Sequence, residues 1–208
     1  MGRDVTATTF YDAKSHGLPY DPLKAIIAPR PIGWISAYAE NGTSSLAPYS
    51  FFNLVSDTPK IVMFASVGWK DAATNAKARG AFAANLATAN DADRMNASSA
   101  ALPSSKSEFE EFGIPEVRCR LVDAPRIADA AASLECRVTQ IVTPVDMNGD
   151  AADAVIVFGQ VVGYHIEDAL MRDGRFDATV AKPLSRLGYK DYSVTESVFE
   201  LTRPEGPS

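Results

Sequence analysis

The strongest constraint on this chain is the rhythm of its apolar residues. Short runs rich in β-branched and aromatic side chains are each cut off by a turn signal before a helix could complete itself. Ile32 to Tyr38 is the first clear run. Glu40-Asn41-Gly42-Thr43 follows, and Asn-Gly predicts a type I′ hairpin turn because both positions tolerate positive φ. Ser45 to Phe52 then reads as the returning strand, and Lys60 to Ser66, opened by Pro59, as a third. Asp71 to Arg79 breaks the pattern: Asp71 can cap a helix, alanines extend it and Gly80 stops it. Ala81 to Leu86 returns to strand, whereas residues 90–112 are the most helical stretch, with Asp91 and Ser107 as caps. Val117 to Val122 comes next, then a long pair, Ser133 to Val142 and Ala154 to Ile166, joined around Asn148-Gly149. Glu167 and Asp168 lead into a short helical turn through Met171, and Ser193 to Leu201 reads as the last strand. Many short strands and few helices predict an all-β barrel or sandwich. No G-x-G-x-x-G follows a strand and no G-x-x-x-x-G-K-[ST] occurs, so neither a Rossmann domain nor a P-loop is supported.

At 208 residues and 46% hydrophobic, the chain fits one domain with a sizeable core. A net charge of −6, with Lys70, Lys77 and Arg79 interleaved with Asp71 and alanines, argues against a nucleic-acid partner. No apolar run approaches the roughly 20 residues that cross a bilayer, and Met1 to Val5 lack a signal-peptide stretch, so the plain expectation is a cytoplasmic protein without a membrane partner. Cys119 and Cys136 have neither redox nor metal-site spacing and read as free thiols on strands. Two histidines, His16 and His165, are too few for a His-rich metal centre, and no metal is expected.

Three segments stand out. In Pro29-Arg30-Pro31-Ile32-Gly33-Trp34-Ile35-Ser36 two prolines fix the backbone around an arginine that could grip an anion with its planar fork. Taken alone, Arg30 reads more readily as a surface charge ahead of an edge strand. Leu46-Ala47-Pro48-Tyr49-Ser50-Phe51-Phe52-Asn53 crowds hydroxyl, aromatic and amide groups at a strand end. It reads equally as a wall for a planar ring or as a core strand with a polar end. In Ser66-Val67-Gly68-Trp69-Lys70-Asp71-Ala72-Ala73-Thr74-Asn75 a strand passes through a glycine turn into a helix start, which with Lys70 offers an anion site. Asp71 competes for that positive end, or caps it while Ser66 and Lys70 face a ligand. A capped surface helix is the plainer account.

In this order and spacing the segments resemble the flavin reductase-like, FMN-binding split-barrel family, the group of flavoredoxin and the flavin reductase component of nitrilotriacetate monooxygenase. Ser133-Leu134-Glu135-Cys136, Gly163-Tyr164-His165-Ile166 and Ser185-Arg186-Leu187-Gly188, with Tyr192 beyond, extend the likeness over roughly residues 20 to 203. The resemblance implies a mainly β split barrel with a few short helices: an arm at 1–22, the FMN-binding domain at 23–203 and a tail at 204–208. It implies FMN, with NAD(P)H as reductant, and a homodimer whose interface helps form the flavin sites. Ser50, Phe51, Phe52 and Asn53 would lie along the isoalloxazine and ribityl chain. Ser66, Lys70 and Asn75 would sit near the ribityl and phosphate, with Arg30 at the cofactor site. His165 and the Arg186-Leu187-Gly188 turn would approach the flavin.

Two departures are visible. Ala72 stands where many relatives carry Thr, and Tyr189 where a second Gly often follows Arg-Leu-Gly, which would narrow the pocket. His165 reads equally as a flavin contact or as a strand histidine satisfied by a neighbour. Trp34 and Trp69 read as packing residues, and Glu135 as a surface partner of Arg137. The activity implied is NAD(P)H-dependent flavin reduction, with electrons passed to an acceptor or a partner monooxygenase. The alternative is a flavoredoxin-like FMN electron carrier that does not itself react with NAD(P)H.

Overall fold

A computed structural model of the protein describes residues 7–204 and Gly206. Residues 1–6 of the expected arm, and 205, 207 and 208 of the expected tail, lie outside the described residues. Residues 7–22 carry no helix or strand. A short helix that the sequence pattern did not signal, α1 (Leu23–Ile26), then leads to β1 (Arg30–Pro31).

The strands β2 (Gly33–Tyr38), β3 (Ser44–Tyr49), β4 (Phe52–Asp57), β5 (Lys60–Ser66), β6 (Ala81–Leu86), β9 (Ala132–Val142) and β10 (Val155–Ile166) form one antiparallel sheet in the order β3-β2-β6-β9-β10-β5-β4. β3 and β4 are opposite edges of this sheet, yet only Ser50 and Phe51 separate them in the chain. Two residues span only about 10 Å even when fully extended, so the sheet must curl until its edges approach. This is a split barrel. The run expected as one strand, Ser45 to Phe52, is therefore two strands of opposite edges. The apolar pattern continues across the break, so composition alone does not reveal it.

Alternation along β2 fills two cores. Ile35 and Ala37 join Phe64, Phe82, Cys136 and Val157 in one cluster, together with Ala72, Ala73 and Ala76 of α2 (Asp71–Arg79). Ile32 and Trp34 point the other way, into a cluster with Leu46, Phe109, Ile127 and Leu184. The short helices α3 (Ala92–Ala97) and α4 (Glu108–Glu111) and the pair β7 (Glu116–Arg118) and β8 (Pro125–Ile127) flank this second core. The chain closes with β11 (Met171–Arg172), β12 (Arg175–Phe176), α5 (Ala178–Ala181), β13 (Leu184–Arg186) and β14 (Tyr192–Val194), and β13 lies between β1 and β14 in a small sheet.

Several expectations are refined. Both Asn-Gly hairpins exist, but each ends on a single left-handed glycine, Gly42 (φ 91°) or Gly149 (φ 89°), and neither asparagine adopts positive φ. The Gly42 N–H donates to the Ala39 carbonyl and the Gly149 N–H to that of Asp146, so both are type I-like turns rather than type I′. Within 90–112 the only α-helices are α3 and α4, preceded by a 3-10 turn at Ala89–Asp91; Asp91 there accepts the Thr88 N–H as the far member of a capping box. The strand expected at Val117 to Val122 is limited to β7, and Cys119 lies just past it. The strand expected to Leu201 stops at Val194; the Thr195 N–H still donates to the Pro183 carbonyl, and among the described residues no strand pairing continues past it.

Candidate functional site

A cleft of about 480 Å³ opens where the end of β3 meets β1, α1 and the turn after β13. Of the expected site residues, Arg30, Ser50, Phe51, Lys70, Arg186 and Leu187 line it together. A second cleft of about 480 Å³ continues from it toward the start of α2, and the two share Pro48, Tyr49, Lys70 and Ser99. The first cleft contains Lys24, Arg30, Lys70 and Arg186 and no carboxylate. None of these cations pairs with an acid among the described residues, although the chain carries a net charge of −6.

Arg30 is neither a surface charge nor a free anion fork. It is 8% exposed, and its guanidinium donates to the carbonyls of Lys24, Ile27 and Leu187, the last at 2.8 Å. One buried arginine thus ties α1 and the 187–189 turn to β1 and builds one wall of the cleft. Gly188 completes the lock: a Cβ there would lie 2.5 Å from the Ala25 Cβ and 2.7 Å from its Cα. Tyr189, at φ 56°, lines the cleft and meets the Tyr20 ring edge-on at 5.8 Å.

Lys70 occupies the N-cap position of α2, and no side chain caps that helix, so its first N–H groups remain available to an anion. Asp71 sits inside the first turn and accepts from Ser104 Oγ at 2.8 Å, not from the helix start. Ser66 is buried between the lining residues Ala65 and Val67, and its hydroxyl has no hydrogen-bond partner of standard geometry. The Tyr49 hydroxyl is its neighbour; burial pushes this phenol above its usual value, and Ser66 offsets part of that shift. The second cleft also contains Glu108, which accepts the Leu46 N–H at 2.9 Å and is pushed above the usual carboxylate value by burial.

The remaining expected residues lie elsewhere. Phe52 and Asn53 line an adjoining groove with Leu23, Ile26 and Met63. Asn75 is buried and donates to Ser45 Oγ at 2.9 Å. His165 borders a separate apolar pocket with Leu134 and Phe176, its Nε2 hydrogen-bonded to Glu135. Glu135, expected on the surface, is 1% exposed and also accepts the N–H groups of Arg120 and Leu121. Trp34 is buried as expected and donates to Ser98 Oγ, but Trp69 is exposed beneath the Lys77 ammonium, 4.7 Å from its ring centre. Cys119 and Cys136 are free; burial pushes the Cys119 thiol up to about 12 and raises that of Cys136 as well, so neither is a ready nucleophile. Lys24, Asn96 and Ser99 are lining residues that sequence reasoning missed, since none falls in a patterned segment.

A model of the flavin reductase like domain matches residues 27–184. The chain belongs to the flavin reductase like family. An uncharacterized protein of Halalkalibacterium halodurans is 32% identical over 199 residues, covering 93% of this chain and 94% of that one. Nitrilotriacetate monooxygenase component B from Bacillus cereus superposes with a TM-score of 0.86 at 26% identity, over 95% of this chain and 100% of its own. A Shewanella frigidimarina protein with a split barrel domain gives a TM-score of 0.78 at 16% identity, over 88% of this chain and 90% of its own, a likeness of fold. Among the described residues no helix is long and apolar enough to cross a membrane, and no cluster of His, Cys, Asp or Glu could hold a metal.

Proposed function

We propose that this protein binds FMN and acts as an NAD(P)H-dependent flavin reductase that passes electrons to an acceptor or a partner monooxygenase. The observation that carries the reading is the cleft itself: cationic and aromatic, free of carboxylates, and continuous with the uncapped start of α2 in a chain of the flavin reductase like family. Such a surface suits a planar ring that ends in a phosphate. Lys70 and the first N–H groups of α2 would hold the phosphate, the Ser66 hydroxyl, buried beside that of Tyr49, would meet the chain between phosphate and ring, and Ser50 and Phe51 would border the ring. Bound FMN would supply hydride acceptance from a reduced nicotinamide and electron delivery to an acceptor. The protein's part is placement and charge: Lys24, Arg30 and Arg186 make the cleft favourable for an electron-rich ring, and no general acid or base is needed.

The Bacillus cereus neighbour is a component of a monooxygenase, which supports a partner of that kind. We further propose residues 23–203 as the flavin-binding domain, preceded by an arm, and a homodimer that brings Phe52, Asn53 and His165 to the flavin from outside the cleft of one chain. The test is the absorption spectrum of purified protein reconstituted with FMN, followed by anaerobic titration with NADH and NADPH. Bound flavin that bleaches with either nicotinamide is the expected result. Bound flavin that resists both would replace the reductase with a flavoredoxin-like carrier, and failure to bind FMN would refute both readings.

A further inference from the structure

Tyr189 is one of three non-glycine residues with positive φ among the described residues, and the only one that lines the cationic cleft. A bulky side chain in that region is strained, and such strain persists only where the surroundings enforce it. Here they do. The Tyr189 carbonyl accepts from Arg186 at 2.6 Å, Leu187 N–H donates to the Asp191 carbonyl, and the Leu187 carbonyl is held by the buried Arg30. The turn would be easier with glycine, yet it presents an aromatic ring, 54% exposed, at the edge of the cleft. The Tyr20 ring supports it edge-on, and Tyr20 itself is exposed.

We propose that Tyr189 is a specificity-determining stacking residue: its ring closes over the planar ring of the ligand in this cleft, with Tyr20 as its backing. The hydrogen-bonded turn holds the ring at the edge of the cleft, where a planar aromatic ligand gains a stacking face. This rests on the FMN reading given above and adds the residue that selects for the ring.

The test is FMN and riboflavin titration of the full chain, read by quenching of flavin fluorescence, for the wild type, Tyr189→Phe, Tyr189→Asn and Tyr20→Ser. Tyr189→Phe keeps the ring and should bind within twofold of the wild type. Tyr189→Asn keeps a residue that tolerates positive φ but removes the ring. It should weaken both ligands on the order of tenfold, the low-to-middle range for loss of one stacking contact, and leave bound flavin more fluorescent. Its melting temperature should match or exceed that of the wild type, which separates stacking from structural damage. Tyr20→Ser should show a smaller loss of the same sign. Equal affinity and equal quenching in Tyr189→Asn would overturn the proposal, as would a Tyr189→Phe loss as large as that of Tyr189→Asn. A wild type that binds no flavin would overturn the functional reading, and this inference with it.

Discussion

At Glu135 a carboxylate with 1% exposure accepts the N–H groups of Arg120 and Leu121 and meets the His165 ring. Burial alone would raise its pKa, but these three partners together hold it below the usual carboxylate value of 4.5. A depressed carboxylate stabilises the fold above the unfolded value, and that contribution fades as pH falls through the lower folded value. Glu135→Gln should therefore cost about 1–3 kcal/mol at neutral pH, and its deficit against the wild type should shrink below pH 4.5, as urea unfolding at several pH values would show. The sequence could not reveal this role. Glu135 and Arg137 share a strand face by alternation, and only the fold of residues 119–121 over that face turns a surface pair into a buried anchor. Gly188 makes the opposite point: the motif was legible, but its reason, the backbone of Ala25, was not. Gly188→Ala should cost about 1–3 kcal/mol by overpacking and displace the cleft wall, which calorimetry and FMN titration together would register.

The elements that were legible are those specified by neighbours in sequence. α2 and β6 match the expected bounds because a helix start, an alanine run, Gly80 and the following apolar strand are all local signals. The break at Ser50-Phe51 was not legible, since it arises when two sheet edges meet, a property of seven strands at once. α1 is four residues long and buries none of its side chains, so the Arg30 guanidinium on its carbonyls is a main tether. Arg30→Lys replaces a fork with a single ammonium that cannot reach three carbonyls. Limited proteolysis should cut the variant in the α1 segment several-fold faster than the wild type, and FMN affinity should fall even though Lys keeps the charge. Unchanged cleavage would show that α1 is held by something other than this arginine.

Across the whole molecule, charge and exposed apolar surface are distributed unevenly. The cations of the cleft lie in a chain of net charge −6, so FMN binding should weaken as salt rises through the range where the screening length shrinks from about 10 Å toward 3 Å; titration between low and molar salt would measure it. Leu54 and Val55 on edge strand β4, and Val198, Phe199 and Leu201 beyond β14, are exposed. A homodimer would cover such surface, and the pair Leu54→Glu with Val55→Glu should move the sedimentation coefficient from dimer to monomer. A monomeric wild type would refute the dimer. The bond from Arg30 to the Leu187 carbonyl joins positions 157 residues apart, and this separation bears on the order of assembly. Contacts between distant parts of a chain wait on the closure of large loops, so the wall of the cleft should be among the last parts to form. Ligand capture would then report completed folding: in refolding experiments, flavin quenching should lag the recovery of the sheet's circular dichroism.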